Sequence, residues 1–235
     1  MISFGTQMSM KINVDVVIPA MNEAQAISLV LGEIPSWVRQ VVVVDNASTD
    51  GTGEIAQRAG AKVILEGHRG YGYACMAGIS SLDAPDVVVF LDGDHSDFPA
   101  EMERLVKPIW DEQADLVIGS RLAGKMQPGS MPRHAIWGNQ FLSWMLRQIT
   151  GCQVTDIGPF RAITWDCLMS LEMQEGRYGW TLEMMLKAVN RNYSMVETPV
   201  SYRPRLGRSK VSGSPIASLK AALVMLATIP RYARS

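Results

Sequence analysis

Short apolar runs alternate with longer mixed segments through the first half of the chain. The runs are rich in valine and isoleucine, as buried parallel strands are, and they predict strands at Val14–Ile18, Val41–Val44, Ala61–Leu65, Val87–Leu91 and Asp115–Ile118. The intervening segments predict helices at Ala24–Ile34, Gly53–Ala59, Tyr73–Ser81 and Phe98–Trp110. Strands that alternate with helices in this way form a parallel sheet with right-handed crossovers. We therefore predict an α/β fold with a mostly parallel central sheet between helices.

The second half of the chain is richer in helix. A segment rich in Gly, Pro and Met, Leu122–Pro132, predicts a mobile loop. A long helix follows from Arg133 to Thr150, and Gly151 ends it. Further along, the pattern predicts a loop entering a short strand at Val154–Ile163, a helix at Trp180–Ala188 and a last strand at Ser194–Tyr202.

Charge is unevenly distributed along the chain. The net charge is −1, but Arg203–Ser235 holds seven Lys or Arg and no acid, so residues 1–202 carry a balance of −8. Within this cationic tail, Ile216–Ile229 predicts a nearly all-apolar helix that is too short to span a bilayer. The helix either packs on the body or lies in a membrane interface, and its basic flanks favour the interface. The tail indicates an anionic partner, with a solvated basic tail as the alternative.

Composition narrows the class of protein. The length of 235 residues fits one large α/β domain. Met1–Lys11 lacks a basic start followed by an apolar run, so no signal peptide is predicted. The three cysteines are scattered without C-x-x-C spacing, which indicates neither a disulfide framework nor a zinc site and fits a reducing, cytoplasmic compartment. A nucleic-acid binder is disfavoured, because only the tail is basic and aromatic residues make up 7% of the chain.

The sequence Asp92-Gly93-Asp94 directly follows the most apolar of the predicted strands. Ligands of open α/β sheets bind at the carboxyl ends of the strands, and two carboxylates there suit Mg2+ or Mn2+ carrying a phosphate-rich substrate. A solvated Asp-Gly turn is the simplest alternative. A calcium loop is excluded, because it requires Gly at its sixth position, where Asp97 stands, and a helix rather than a strand before it.

Other charged residues also stand at strand ends. Asp45 and Glu66 each follow directly after a predicted strand, and Arg121 closely follows the strand Asp115–Ile118. Because parallel strands end at the same edge of a sheet, these side chains predict one polar crevice there.

A glycine-rich loop, Gly67–Gly72, invites comparison with dinucleotide-binding motifs. Its spacing differs from G-x-G-x-x-G, and it follows the third strand rather than the first, which disfavours a nicotinamide or flavin enzyme. A P-loop enzyme is excluded more firmly, since G-x-x-x-x-G-K-[ST] does not occur in the chain.

With these motifs in place, the chain resembles family 2 glycosyltransferases of the GT-A fold, most closely the branch of dolichyl-phosphate mannosyltransferases and polyprenyl-phosphate glucosyltransferases. The resemblance runs from about Val14 to Gly213. It rests on six short motifs in order: Val-Ile-Pro-Ala-Met-Asn-Glu (17–23), Val-Asp-Asn-Ala-Ser-Thr-Asp-Gly-Thr (44–52), Asp-Gly-Asp (92–94), Gly-Ser-Arg (119–121), Phe-Arg-Ala (160–162) and Ser-Lys (209–210).

The resemblance implies a three-layer α/β/α domain over residues 1–213, with a donor half at about 12–121 and an acceptor half at about 122–213, before the helix in 214–235. It implies a nucleotide-diphosphate sugar donor and Mg2+ or Mn2+. The residues it assigns to the donor are Pro19, Ala20, Asn22, Glu23, Asp45, Asp50, Arg69, Asp92 and Gly93, with Asp92 and Asp94 at the metal.

On the acceptor side the resemblance implies that arginines meet a phosphate. Arg121 and Arg133 would contact the acceptor phosphate, and Arg203, Arg205 and Lys210 would close over the phosphates from the C-terminal loop. A lipid phosphate is already an anion at neutral pH, so it needs positioning more than deprotonation. A sugar hydroxyl would instead need a general base, for which Glu183 and Asp156 are the candidates.

The chain departs from its family at two motifs. Relatives commonly have Asp-Ala-Asp followed by Leu-Gln, where this chain has Gly93 and His95, and a loop histidine with its own partner is favoured over an extra metal ligand. Thr155–Phe160 replaces a more usual Ser-Gly-Phe-Arg entry, so the acceptor site differs as well.

We therefore expect a metal-dependent, inverting hexosyltransferase that acts on a polyprenyl phosphate, peripherally at the cytoplasmic face of a membrane. A soluble phosphorylated or hydroxyl acceptor on the same fold is the nearest alternative. From another class, a nucleotidyltransferase or a non-catalytic nucleotide-sugar binder remains open. The sequence leaves the sugar, the base (uridine or guanosine) and the oligomeric state undetermined.

Overall fold

The computed structural model describes residues 12–207 and 215–232. The predictions for Met1–Lys11, for Lys210 and for the Ser-Lys motif at 209–210 lie outside these ranges. The described chain forms one seven-stranded sheet in the order β3-β2-β1-β4-β6-β5-β7. The strands are β1 (Val14–Ala20), β2 (Gln40–Asp45), β3 (Lys62–Leu65), β4 (Val87–Phe90), β5 (Leu116–Ser120), β6 (Arg161–Thr164) and β7 (Met195–Pro199).

Helices cover both faces of the sheet, so the predicted three-layer α/β/α architecture is confirmed. The helices are α1 (Ile27–Gly32), α2 (Thr52–Arg58), α3 (Tyr71–Ile79), α4 (Met102–Trp110), α5 (Arg133–Thr150), α6 (Trp165–Ser170), α7 (Trp180–Asn190) and α8 (Pro215–Tyr232), with a 3-10 turn at Pro99–Glu101. Alternation along the strands separates the two cores: Val16 and Ile18 pack toward α1, α2 and α4, whereas Val17 packs toward α3 and α5–α8.

One strand runs against the others. β6 pairs antiparallel with both β4 and β5, while the remaining pairs are parallel. Two antiparallel steps restore the direction, so β5 and β7 end at the same edge as β1, β2 and β4. The predicted row of strand ends therefore survives the reversal.

β1 continues through a proline that was predicted to end it. Pro19 pairs with Val44 of β2. The Val17 carbonyl accepts from Leu91 on the β4 side, and the backbone of Pro19 points to that same side, two residues further on. β4 ends at Phe90, so the N–H that proline lacks has no ladder bond to make there.

The first helix is shorter than predicted. It begins at Ile27 rather than Ala24, and its first cap position is Ala26. Asn22, two residues before the predicted start of the helix, has a left-handed backbone with φ 55°. Its side-chain oxygen accepts from the backbone N–H of Thr49 at 2.8 Å instead. The asparagine thus links two loops at the sheet edge and does not start a helix.

The glycine-rich loop makes close backbone packing possible. A Cβ at Gly70 or Gly72 would collide with the backbone carbonyl of Gly176 or Glu175, and the Tyr73 N–H donates to the Gly176 carbonyl at 3.0 Å. The glycines therefore bring the start of α3 against the segment 172–178, which we call the α7 entry loop.

Glu183 has a structural position rather than the predicted position of a general base. It is fully buried on α7 and does not line the cleft described below. Its two carboxylate oxygens accept from the backbone N–H groups of Gln174 and Glu175 at 2.9 and 2.8 Å, and Lys187 lies 2.8 Å away. With both oxygens engaged, this carboxylate holds the α7 entry loop in place.

Helix α8 packs against α7 and α5, and Ile229 and Tyr232 join the core. The predicted helix is present, and the contacts of its last turns favour packing on the body. Among the helices that the structure describes, none combines the length and apolar character that crossing a bilayer requires.

We predict that Glu183→Gln lowers the free energy of unfolding by about 3–5 kcal/mol, because it leaves the Lys187 ammonium, 5% exposed, without its carboxylate. Denaturant titration measures the change. Glu103→Gln, on the exposed face of α4, is the matched control and should shift stability by no more than about 0.5 kcal/mol. Equal stability of the two variants would contradict the structural role.

Candidate active site

A cleft of about 890 Å3 opens along the carboxyl edge of the sheet. It collects residues from strand ends, from α5 and from the C-terminal loop. Of the predicted site residues, those that line it are Pro19, Ala20, Glu23, Arg69, Asp92, Gly93, Asp94, Arg121 and Arg205. Those that do not are Asn22, Asp45, Asp50, Arg133, Asp156, Glu183 and Arg203.

Asp94 is the most tightly held acid of the cleft. Its side chain is 2% exposed, and one carboxylate oxygen accepts from the Ser96 backbone N–H at 2.8 Å and from the Ser96 hydroxyl at 2.5 Å. The other oxygen pairs with the Arg205 guanidinium. One oxygen is thus held by Ser96, while the other pairs with the guanidinium of Arg205, which lines the cleft.

Asp92 lies beside Asp97, a buried acid that the sequence pattern did not assign to the site. The Asp92 backbone N–H donates to the Asp97 carboxylate at 3.4 Å, and Asp97 is 1% exposed. Burial, together with the negative charge of Asp97, raises the pKa of Asp92 to about 7. Burial also raises the pKa of Asp97. The site therefore concentrates negative charge that a cation would relieve.

The two carboxylates of Asp92 and Asp94 fit a divalent cation that arrives with a substrate. In the described part of the chain, no group of three or more His, Cys, Asp or Glu side chains is arranged to hold a metal. Mg2+ and similar cations bind through one or two carboxylates and fill their other positions with water and substrate phosphates. One oxygen of Asp94 already pairs with a positive group, the Arg205 guanidinium. The two carboxylates therefore match a divalent cation in ligand type, in number and in charge.

The C-terminal loop closes over the segment that carries these acids. The backbone N–H groups of Arg203 and Leu206 donate to the carbonyls of Ser96 and Asp94, both at 3.0 Å. Arg203 turns away from the cleft: its guanidinium pairs with Glu33 at 2.7 Å and lies 4.2 Å from the centroid of the Phe98 ring. Arg203 therefore fastens the loop rather than facing a phosphate, contrary to the prediction, while Arg205 faces the cleft.

His95 shares the anchor used by Arg203. Its ring Nε2 lies 2.9 Å from a Glu33 oxygen, and the residue does not line the cleft. The structure thus places His95 as a loop histidine with its own partner, the alternative that the sequence favoured.

Asp45 and Asp50, which were predicted to complete the nucleotide pocket, do not line the cleft and instead hold neighbouring loops in place. Asp50 accepts from the Ala24 backbone N–H at 3.1 Å and from the Thr52 hydroxyl at 2.5 Å. Asp45 accepts from the Ser48 backbone N–H at 2.8 Å. The Asp50 contact fixes the loop after β1, which carries Glu23, and the Asp45 contact fixes the loop after β2.

Asn46 is a lining residue that the sequence analysis missed. It is buried, and its amide nitrogen donates to the carbonyls of Glu66 and His68 at 3.0 and 2.8 Å. Its amide oxygen accepts from the Gly70 N–H at 2.8 Å. Asn46 thereby fixes the loop that carries Arg69. Its place just after β2 is the sequence signal for this position, although the neighbouring charged residue, Asp45, is the more conspicuous one.

Asp156 binds Arg121 and is not a free base. The carboxylate accepts two hydrogen bonds from the Arg121 guanidinium, at 2.8 and 2.7 Å. It accepts a third from the side-chain amide of Asn139 at 2.5 Å. Burial opposes ionisation, but Arg121 and Asn139 hold the pKa of Asp156 below its usual range. A low pKa and full occupancy make this acid a poor proton acceptor, so the general-base prediction is wrong in its geometry. The pair instead orients Arg121 at the cleft.

Helix α5 forms the far wall of the cleft. Arg133 lies exposed outside it, whereas the next residue, His134, lines it. Met131, Pro132, Ala135, Gly138 and Leu142, with Ile157, make this wall largely apolar. The predicted ends of the helix are confirmed. Of the first turn, His134 lines the cleft and Arg133 does not, so contact between Arg133 and an acceptor phosphate stays a prediction.

Two further lining residues come from the α7 entry loop, Arg177 and Tyr178, and one from the C-terminal loop, Tyr202. The Tyr202 ring centroid lies 5.1 Å from the Arg121 guanidinium. Nothing in the local sequence marked Arg177 or Tyr178, because the packing of glycine against glycine brings that loop to the cleft.

Comparison with known proteins agrees with this geometry. Residues 15–165 match the family described as Glycosyl transferase family 2. The chain is 39% identical over 213 residues to an uncharacterized glycosyltransferase of Mycobacterium tuberculosis, covering 89% of this chain and 94% of the relative. It is 34% identical over 215 residues to the undecaprenyl-phosphate mannosyltransferase of Micrococcus luteus, covering 84% and 86%.

A solved structure shows the same fold. Glucosyl-3-phosphoglycerate synthase of Mycobacterium tuberculosis, determined with Mn2+, uridine-diphosphate-glucose and phosphoglyceric acid, superposes with a TM-score of 0.77 at 21% identity, covering 95% of this chain and 80% of the other. At that identity the likeness supports the GT-A architecture alone. On the family match and the close relatives, this chain belongs to glycosyltransferase family 2.

Proposed function

We propose that the chain is an inverting glycosyltransferase, dependent on Mg2+ or Mn2+, that moves a hexose from a nucleotide-diphosphate sugar to a polyprenyl phosphate. The observation that carries the proposal is the distribution of acids in the cleft. Among the described lining residues, the carboxylates are Glu23, Asp92 and Asp94, and all three lie on loops after β1 and β4. The wall formed by α5 carries none. A nucleophile bound there has no carboxylate to deprotonate it, which suits a phosphate that is already ionised.

The strand-end half of the cleft suits the donor. Pro19, Ala20 and Glu23 would face the base and ribose, with Arg69 nearby. Asp92 and Asp94 would hold the metal on the two phosphates, and Arg205 would add a second positive charge once it is released from Asp94. When bound, the divalent cation offsets the charge that develops on the departing nucleoside diphosphate. Structures of glucosyl-3-phosphoglycerate synthase in complex with UDP and Mn2+ or Mg2+ support this assignment.

The α5 half suits a lipid phosphate. Arg121, fixed by Asp156, presents a cation at the boundary between the two halves. Beyond it lie apolar side chains of α5, of Ile157 and of Met225 from α8, which match a prenyl chain better than a small polyol. The name of the Micrococcus luteus relative, an undecaprenyl-phosphate mannosyltransferase, supports the same class of acceptor.

A second candidate keeps the fold and takes a hydroxyl acceptor on a small phosphorylated molecule. His134, the imidazole among the described lining residues, favours it, because a histidine at the α5 wall can serve as a general base. Under this alternative, His134→Gln would lower kcat by at least about 100-fold. With a phosphate nucleophile the same change would cost less than about tenfold, since no proton has to leave the acceptor.

The deciding experiment is an acceptor panel. UDP- and GDP-hexoses are offered with a polyprenyl phosphate in detergent or with phosphoglyceric acid, and released nucleoside diphosphate is measured. We expect release with the lipid phosphate. Release only with phosphoglyceric acid would favour the second candidate. A nucleotidyltransferase would instead release pyrophosphate from UTP or GTP when a hexose 1-phosphate is supplied, so that mixture is assayed in parallel.

We predict that Asp94→Ala lowers kcat by at least about 100-fold, since it removes a metal ligand from the site of developing charge. The kcat of Asp94→Asn should fall by a similar factor. The asparagine side-chain oxygen can still accept from Ser96, so this variant separates the loss of the metal ligand from a loss of folding. The control is Asp111→Asn, a surface acid paired with Lys107. Full activity of either Asp94 variant in a folded protein would contradict the mechanism.

We predict that Mn2+ binds in the presence of UDP or GDP about tenfold more tightly at pH 8 than at pH 6. The raised pKa of Asp92, to about 7, leaves this ligand mostly protonated at pH 6, and the metal requires the ionised form. Isothermal titration at the two pH values gives the ratio. In Asp92→Asn the ratio should approach one, and an unchanged ratio in that variant would rule out Asp92 as the titrating group.

A further inference from the structure

Three aromatic side chains lie exposed along one face of α5. Trp137 is 72% exposed, Phe141 52% and Trp144 50%, and spacings of four and three residues place them on the same side of the helix. The rings of Phe141 and Trp144 stack with centroids 6.1 Å apart. We call these three residues the α5 aromatic face. Among the side chains that the structure describes, no other helix exposes more than one large apolar group.

This face and the cleft share a helix. Ala135, Gly138, Asn139 and Leu142 line the cleft from the other side of α5. Any surface that contacts the α5 aromatic face therefore lies directly behind the wall of the cleft. Clustered aromatic exposure of this kind marks an interaction site rather than ordinary surface variation.

The charge around the face identifies the chemistry of the partner. Residues 116–155 contain no acid and four basic residues, Arg121, Lys125, Arg133 and Arg147, although residues 1–202 carry a balance of −8. Lys125 and Arg133 are exposed, and Arg133 precedes Trp137 by four residues, on the same side of α5. Aromatic side chains with flanking Lys and Arg are typical of protein surfaces that enter the headgroup region of anionic membranes. A second copy of the chain would bring like charges together, which disfavours self-association.

We propose that the α5 aromatic face docks on an anionic membrane surface and holds the apolar wall of the cleft against the bilayer. The part that docking plays in transfer rests on the proposed lipid acceptor. The docking itself rests on the aromatic residues and the acid-free segment, so the two can be tested separately.

The first test is flotation of the full chain with vesicles. Wild type should bind mixed phosphatidylcholine and phosphatidylglycerol vesicles and bind pure phosphatidylcholine more weakly. The triple variant Trp137→Ser, Phe141→Ser and Trp144→Ser should bind the anionic vesicles at least about tenfold more weakly. Leu29→Ser with Met169→Ser, positions 48% and 50% exposed on other helices, is the matched control and should bind like wild type.

A second variant separates binding from folding. Lys125→Glu with Arg133→Glu keeps the aromatic residues and reverses two exposed charges, and it should weaken binding to anionic vesicles by about tenfold or more. Unchanged binding in the triple variant would overturn the proposal. So would a wild-type dimer, found by analytical ultracentrifugation without lipid, that the triple variant converts to a monomer, because the face would then be covered by a second copy.

Activity distinguishes docking from the proposed acceptor. The triple variant should lose at least about tenfold in transfer to a long polyprenyl phosphate within vesicles, yet retain transfer to a short, water-soluble prenyl phosphate. Equal losses on both acceptors would overturn the docking role. If wild type transfers to neither acceptor while the triple variant still fails to float, the acceptor assignment fails and the docking surface stands.

Discussion

A carboxylate that leaves water has to meet a cation or N–H donors, and this requirement organises the site. Asp94 meets Ser96 and Arg205, Asp156 meets Arg121 and Asn139, and Glu183 meets Lys187 and two backbone N–H groups. An unpaired charge at any of these buried positions would cost several kcal/mol. Each of these acids therefore fixes a segment of backbone. Asp94 fixes the loop after β4, Asp156 joins the segment before β6 to helix α5, and Glu183 holds the α7 entry loop.

The same requirement separates the acids by role. Where a protein cation and an amide donor occupy both oxygens, as at Asp156, the carboxylate has no capacity left for a substrate proton. Where one oxygen faces a cation that is itself exposed to the cleft, as at Asp94, that partner can be exchanged for another. Asp92, which is half-buried, and Asp97, which is buried, both have raised pKa values and carry the least compensated charge in the cleft. The acids that could bind a metal thus lie on the loop after β4. The half of the cleft formed by α5 offers apolar surface and the guanidinium of Arg121 instead.

Patterns that act over a few residues were read correctly from the sequence. Valine-rich runs gave the strands, Gly151 gave the end of α5, and Asp92-Gly93-Asp94 gave the acids at the sheet edge. Contacts between segments that are distant in the sequence could not be predicted from local patterns. Arg203 resembles a phosphate ligand until Glu33, 170 residues away, is seen to hold it. Glu183 and Asp156 resemble bases until their partners appear. The antiparallel β6 was missed because direction depends on how a strand is reached, not on its composition.

The contact between the glycine-rich loop and the α7 entry loop has a mechanical consequence. The Gly176 carbonyl accepts from Tyr73 with no side chain between the two backbones, and Asn46 ties Gly70 to β2. Arg69 and Arg177, which both line the cleft, therefore belong to segments in direct backbone contact. With no side chain between the two backbones to absorb a movement, a shift of one loop would have to move the other as well.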